Sequence, residues 1–193
     1  MAKIINFETI KKDFGDYVNE LTSLCESDLT SINTTIVDKL DSKVSLVQEI
    51  ASYLINSGGK RLRPLFTSCS YQMCKKNNNN DLLNIELAAA VEFIHAATLM
   101  HDDIVDESKK RRGQLTTNEV WGNKTSVLVG DFLFSRAFQL MAKSGSSKIL
   151  KLLSDTSVAI AEGEILELTK DKDPTINEDI YLEVIQGKTA SLF

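Results

Sequence analysis

The 193-residue chain is long enough to bury a sizeable core, and its 42% hydrophobic content fits a soluble globular protein. A formal net charge of −5 gives no general reason to expect nucleic acid, so any polyanion site must come from local basic clusters. No uninterrupted apolar run approaches the ~20 residues of a membrane span, and three cysteines without CxxC spacing beside two histidines give neither a disulfide framework nor a zinc site.

In chain order, the opening MAKIINFETIKKDFGDYVNEL has no signal-peptide core. Its acids Glu8, Asp13 and Asp16 also argue against a transit peptide, so a reducing cytoplasm is the expected setting. In SKVSLVQEIASYLINSGG, Val47, Ile50, Ala51, Leu54 and Ile55 fall on one helical stripe, with Gly58 placed to end it. Pro64 suits the first turn of a new helix, PLFTSCSYQMCKK, and the polar KKNNNND that follows reads as a surface loop. A long apolar helix from about Leu82 to Val105 comes next, then a loop through the basic run. Further helices are expected at about 118–143, 147–170 and 176–193, the last opened by a Thr175/Glu178 capping box just after Pro174. No alternating strand pattern stands out, so the fold class is all-α. Cys25, Cys69, Cys74, Met73, Met100, Trp121 and the phenylalanines at 132, 134 and 138 read as packing residues.

Four constellations carry chemistry. LMHDDIVDESKKRRGQL gathers acids at a helix C-terminus, where the macrodipole disfavours them by about 0.3–1 kcal/mol each. Asp102 and Asp106 lie one turn apart and repel by about 0.2–0.5 kcal/mol more. With Asp103 beside them they either converge on a hard divalent cation such as Mg²⁺, which takes one or two carboxylates plus phosphates and waters, or are neutralised by the adjacent KKRR. SGGKRLRP places Lys60, Arg61 and Arg63 on a glycine turn ahead of a helix start, which is either an anion site or an ordinary turn with solvated bases. His95 shares a face with Thr98, Asp102 and Asp106, where it could donate to a phosphate. In VIQGKTASLF, Lys188 projects from a mostly apolar element and needs an anion if buried. A Walker A reading fails because the position five before Gly187 is Leu182.

Taken together, GGKRLRP, EFIHAATLMHDDIVDESKKRRG, NEVWGNKTSVLVGDFLFSRAF, AEGEILEL and GKTASLF resemble the trans-polyprenyl diphosphate synthases in order and spacing, from about Val44 to Phe193. The resemblance implies an all-helical bundle around a central cavity, and an enzyme that extends an allylic diphosphate with isopentenyl diphosphate to a long all-trans product of octaprenyl type. It makes Lys60, Arg63, His95 and Arg112 the residues that hold isopentenyl diphosphate, and Arg111 the one that grips the allylic diphosphate. Asp102 and Asp106 become Mg²⁺ ligands, with Asp103 completing the motif. Lys188 and Thr189 stand beside the leaving group, Glu167 lies near the metal waters, and Ala97 and Thr98 are small residues that let the product grow. A homodimer, no nucleic acid, no transmembrane segment and a peripheral membrane contact for product release also follow from the resemblance. The family's second aspartate-rich motif has no counterpart among residues 171–193, so residues 1–193 are expected to be one helical domain that is C-terminally incomplete. The alternative is an inactive partner subunit that dimerises with a complete synthase.

Overall fold

Asp13 opens the first helix by accepting from the Asp16 amide while Asp16 reaches back to the Asp13 amide, a reciprocal cap. From there the computed structural model describes residues 13–75, 81–171 and 173–193. The elements are α1 (Phe14–Leu24), α2 (Glu26–Lys39), α3 (Ser45–Asn56), α4 (Leu62–Cys74) and α5 (Asp81–Val105). A small antiparallel hairpin follows, β1 (Lys110–Arg111) and β2 (Gln114–Leu115). The chain continues through α6 (Thr117–Trp121), α7 (Asn123–Lys143), α8 (Ser147–Lys170) and α9 (Glu178–Lys188), and closes on a 3-10 turn at Ala190–Leu192.

Helix α5 is the axis of the bundle, packed by α2, α4 and α7. Its alanines at 88, 89, 90, 96 and 97 are buried on several faces, together with Phe93, Ile94 and Met100. Small side chains let neighbouring backbones approach from more than one direction. Helix α7 meets α5 with Val129, Leu133, Ala137, Leu140 and Met141, a stripe at helical period. Each large side chain of this kind contributes about 1.5–3 kcal/mol on burial. The buried acids on α5 are matched: Glu86 pairs with Lys143, and Glu92 with Arg61.

The all-α expectation holds, with local corrections. The expected helix over 118–143 is two helices, broken at Gly122, whose φ of 83° departs from helical geometry. The basic run is a hairpin, because Arg112 and Gly113 both adopt positive φ (52° and 82°) and form the two-residue turn that antiparallel strands favour. Helix α9 is capped by Asn177, whose Oδ1 accepts from the Ile180 amide at 3.0 Å, while Thr175 is drawn to Asp173 instead. It ends at Lys188 and does not run to 193. The stretch Leu82–Val105 is long and apolar enough to cross a membrane, with mean hydropathy 1.4, but 67% of that window is buried, as befits a core helix. Met73 is 86% exposed and Cys74 is exposed, so neither packs, whereas Cys25 is buried with its Sγ 3.4 Å from that of Cys69. Most of the polar KKNNNND run lies outside the described residues.

Candidate active site

Two clusters lie along α5, with His95 and Asp102 two turns (about 10 Å) apart on one face and both within the field of Arg111. Glu92 and His95 face the loop before α4, and Thr98, Asp102 and Val105 face α7 and α8.

The first cluster is a basic pocket of about 620 Å³ whose lining includes Lys60, Arg63, Glu92, His95, Arg112 and Phe193. Arg61, at a left-handed φ of 48°, turns inward to Glu92 and donates to the Ile55 carbonyl at 2.9 Å. It is therefore the structural arginine of the loop. Arg63 stacks on the Phe193 ring at 4.4 Å and leaves its buried Nε without a hydrogen-bond partner. Burial lowers the Arg63 pKa, with Glu92 opposing. Arg112 reaches across from the hairpin turn to Gly59, where an added Cβ would stand 2.8 Å from Nη1 and push the guanidinium tip aside. His95 is pushed down to about 3 by burial and then by Arg63, Arg112, Arg111 and Arg61, so its imidazole is neutral at physiological pH. The pocket thus offers cations, an orphaned donor and a neutral imidazole to an anion.

The second cluster lines a cavity of about 460 Å³ with Thr98, Asp102, Phe134, Ile160 and Glu164 among its walls. Burial, then the nearby Glu164, pushes the Asp102 carboxyl up to about 7, with Asp106 adding and Lys188 and Arg111 opposing. Negative charge is in excess here. Lys188 donates to Glu164 Oε1 at 2.9 Å and to Glu167. Burial lowers the Lys188 amine's pKa, but those two bonds more than offset it. Helices α8 and α9 approach closely enough for this because Gly163 faces Gly187, where a Cβ on Gly163 would lie 2.8 Å from the Gly187 carbonyl carbon.

Asp103 points elsewhere. It is 1% exposed and receives Arg111 through a fork, Nε to Oδ2 at 3.0 Å and Nη2 to Oδ1 at 2.8 Å. The adjacent acids of the motif therefore have different work. Ala97, expected beside Thr98 on the cavity, is fully buried in the core on a different side of the helix. Thr189 lies with Lys188 and Glu167 on a separate cavity of about 400 Å³ between α8 and α9. Glu92 and Glu164 were not singled out from sequence; their signals were helical spacing, Glu92 three residues before His95 and Glu164 three before Glu167.

Asp102 and Asp106, with Glu164 nearby, supply the hard oxygen donors that suit a small divalent cation, and the raised Asp102 pKa marks charge that such an ion would compensate. Among the described residues no group of three or more His, Cys, Asp or Glu forms a complete cage. An ion here would take its remaining oxygens from phosphate and water.

A family model described as polyprenyl synthetase matches residues 44–193. The octaprenyl diphosphate synthase of Escherichia coli (strain K12) is 44% identical over 176 residues, which are 91% of this chain and 53% of that protein. An all-trans-nonaprenyl-diphosphate synthase (geranyl-diphosphate specific) from Rhodobacter capsulatus is 40% identical over 92% of this chain and 54% of its own length. Among solved structures, a polyprenyl synthase from Caulobacter crescentus CB15 complexed with calcium and isoprenyl diphosphate superposes with a TM-score of 0.88 at 48% identity, covering 91% of this chain and 53% of that one. The chain spans about half the length of the curated relatives it matches.

Proposed function

The chain belongs to the polyprenyl synthetase family, and on that premise we propose that it carries the ionisation and condensation site of a prenyltransferase that extends an allylic diphosphate with isopentenyl diphosphate. The observation that carries this reading is the pair of clusters along α5, one cationic and one with carboxylates beside an apolar cavity. Two diphosphate substrates of different reactivity call for two such sites. A cyclase that ionises a single diphosphate would leave the basic pocket without a task.

In this reading Lys60, Arg63 and Arg112 hold the isopentenyl diphosphate, with the neutral His95 donating an N–H to it. Asp102 and Asp106 hold Mg²⁺, which when bound supplies positive charge to the departing diphosphate. Lys188 donates to the same leaving oxygens, where charge develops as the allylic C–O bond breaks. Arg111 is presented to that diphosphate by Asp103, whose fork engages Nε and Nη2 and leaves Nη1 for the ligand. Electron density from the double bond of isopentenyl diphosphate then forms the new C–C bond at the allylic carbon, and a proton leaves to the released diphosphate. Ile160 and Phe134 line the cavity with apolar surface, which shields the cation from water on that side. Thr98 sits on that wall, which supports it over Ala97 as the residue that governs product length. Glu167 acts through its bond to Lys188, and Thr189 follows it in the chain. A homodimer, a cytoplasmic setting and an octaprenyl-type product belong to the same reading.

Incorporation of radiolabelled isopentenyl diphosphate into farnesyl diphosphate tests it. The assay is run on the chain alone and mixed with the C-terminal half of the E. coli relative, with Mg²⁺ or with EDTA. Mg²⁺-dependent long-chain product in the mixture supports the proposal; its absence from every combination refutes it. The chain alone is expected to elongate undetectably, since losing one preorganised electrostatic element costs about 10²–10³ in rate.

A further inference from the structure

Lys188 is shared between two carboxylates that face different spaces. Glu164 belongs to the wall of the Asp102 cavity, while Glu167 and Lys188 itself line the separate cavity between α8 and α9. An ammonium has three N–H donors, and Glu164 and Glu167 take two of them. The Glu164 side chain is 17% exposed against 47% for Glu167, so the first contact is the better sheltered from solvent. The close Gly163–Gly187 crossing holds the two helices at the spacing this sharing needs.

We propose that Glu164 is a positioning residue that draws the Lys188 ammonium toward the Asp102 cavity and aims its third N–H at the diphosphate bound there. The inference rests on the functional reading above and adds to it the device that assigns Lys188 to one cavity and not the other. Without Glu164, the exposed Glu167 is the remaining partner, and the ammonium swings toward the α8–α9 space. The role is separable from simple electrostatics by sign. Removing a carboxylate beside an anion site should tighten binding if charge alone matters; if it delivers Lys188, Glu164→Gln should weaken binding in the parent and change nothing in Lys188→Met, whereas loss of a metal oxygen would weaken binding in both.

The test uses the 193-residue chain and magnesium diphosphate as probe, with affinity measured by calorimetry. Glu164→Gln is expected to bind about tenfold more weakly or worse, the loss of one charge-assisted hydrogen bond. Glu164→Asp, which keeps the charge but withdraws the oxygen by a methylene, is expected to weaken binding as well. Side-chain ammonium ¹H–¹⁵N spectra supply a second arm. The Lys188 cross-peak, assigned by its loss in Lys188→Arg, should shift or broaden away in Glu164→Gln. Unchanged or tighter binding in both variants, or a Lys188 cross-peak indifferent to Glu164, overturns the proposal. If the unaltered chain fails to bind magnesium diphosphate, the functional reading falls, and the ammonium spectra alone decide the role of Glu164.

Discussion

Asp103 and Arg111 form a buried fork that ties the end of α5 to the hairpin: Nη2 lies 2.8 Å from Oδ1, and Nε 3.0 Å from Oδ2. The fork explains why an apolar helix ends in several acids followed by four bases. One acid is spent on fixing the basic turn, which carries Arg112 across to Gly59, while Asp102 lines the cavity with Asp106 near enough to act on its carboxyl.

Asp103→Ala is therefore expected to destabilise the protein by about 2–4 kcal/mol, since it strands a partly buried guanidinium. Amide exchange in the hairpin, at Thr116 in particular, should accelerate. An intact hairpin with unchanged stability would return Asp103 to the metal site.

Asp102→Asn should stabilise the metal-free protein at pH 8. The folded carboxyl has its pKa raised to about 7 from 3.8, so the folded state binds this proton more tightly than the unfolded chain does. Its contribution is favourable at low pH and is lost as pH rises from about 4 to 7. The expected gain, discounted for partial exposure, is about 1–2 kcal/mol, or roughly 3–6 °C in Tm. At pH 4 the two proteins should melt together. Thermal scans at the two pH values decide it, and equal gains at both would exclude charge as the cause.

His95 predicts the opposite slope. Its folded pKa of about 3 lies below the usual 6.5, so protonation favours the unfolded chain. Stability from this residue is complete above about pH 7 and falls as pH drops toward 3. Near pH 5 the loss is about 2 kcal/mol. Denaturant midpoints for the parent and His95→Gln should diverge at pH 8 and converge on acidification; parallel curves would contradict the buried neutral imidazole.

Thr98 and Ala97 should separate cleanly. Thr98→Phe fills the cavity and is expected to shorten the product in an active, reconstituted enzyme. Ala97→Phe overpacks the core and should cost about 1–3 kcal/mol of stability. Mass spectrometry of products beside melting curves tests the pair. Shortening by Ala97→Phe at unchanged stability would move the gate to the core side.

What could be read from sequence followed the physics of each element. Helices α3, α4, α5 and α8 carry apolar stripes or caps strong enough to announce themselves, and the basic and acidic clusters were visible as charge against an apolar background. The hairpin was not, because two-residue strands carry no alternation and Arg112 is an unusual residue for positive φ. The break at Gly122 was masked by apolar periodicity on both sides. Glu164 and Glu92 are acids on helices whose cationic partners lie far away in the chain. Only the fold shows that one reaches Lys188 from 24 positions away in the chain and the other Arg61 from 31. Asp103 beside Asp102 illustrates the limit: one residue's rotation about α5 turns a cavity carboxylate into a buried anchor.

On the proposed function, two diphosphate sites with different charge logic lie two turns apart along α5. Calorimetry on the 193-residue chain, with isopentenyl diphosphate and a non-hydrolysable farnesyl diphosphate analogue, tests it most directly. Binding of isopentenyl diphosphate should survive EDTA and Asp102→Ala but fall at least about tenfold in Arg63→Ala. The farnesyl analogue should require Mg²⁺ and Asp102 and tolerate Arg63→Ala. Identical dependence of both ligands on metal, Asp102 and Arg63 would contradict the account.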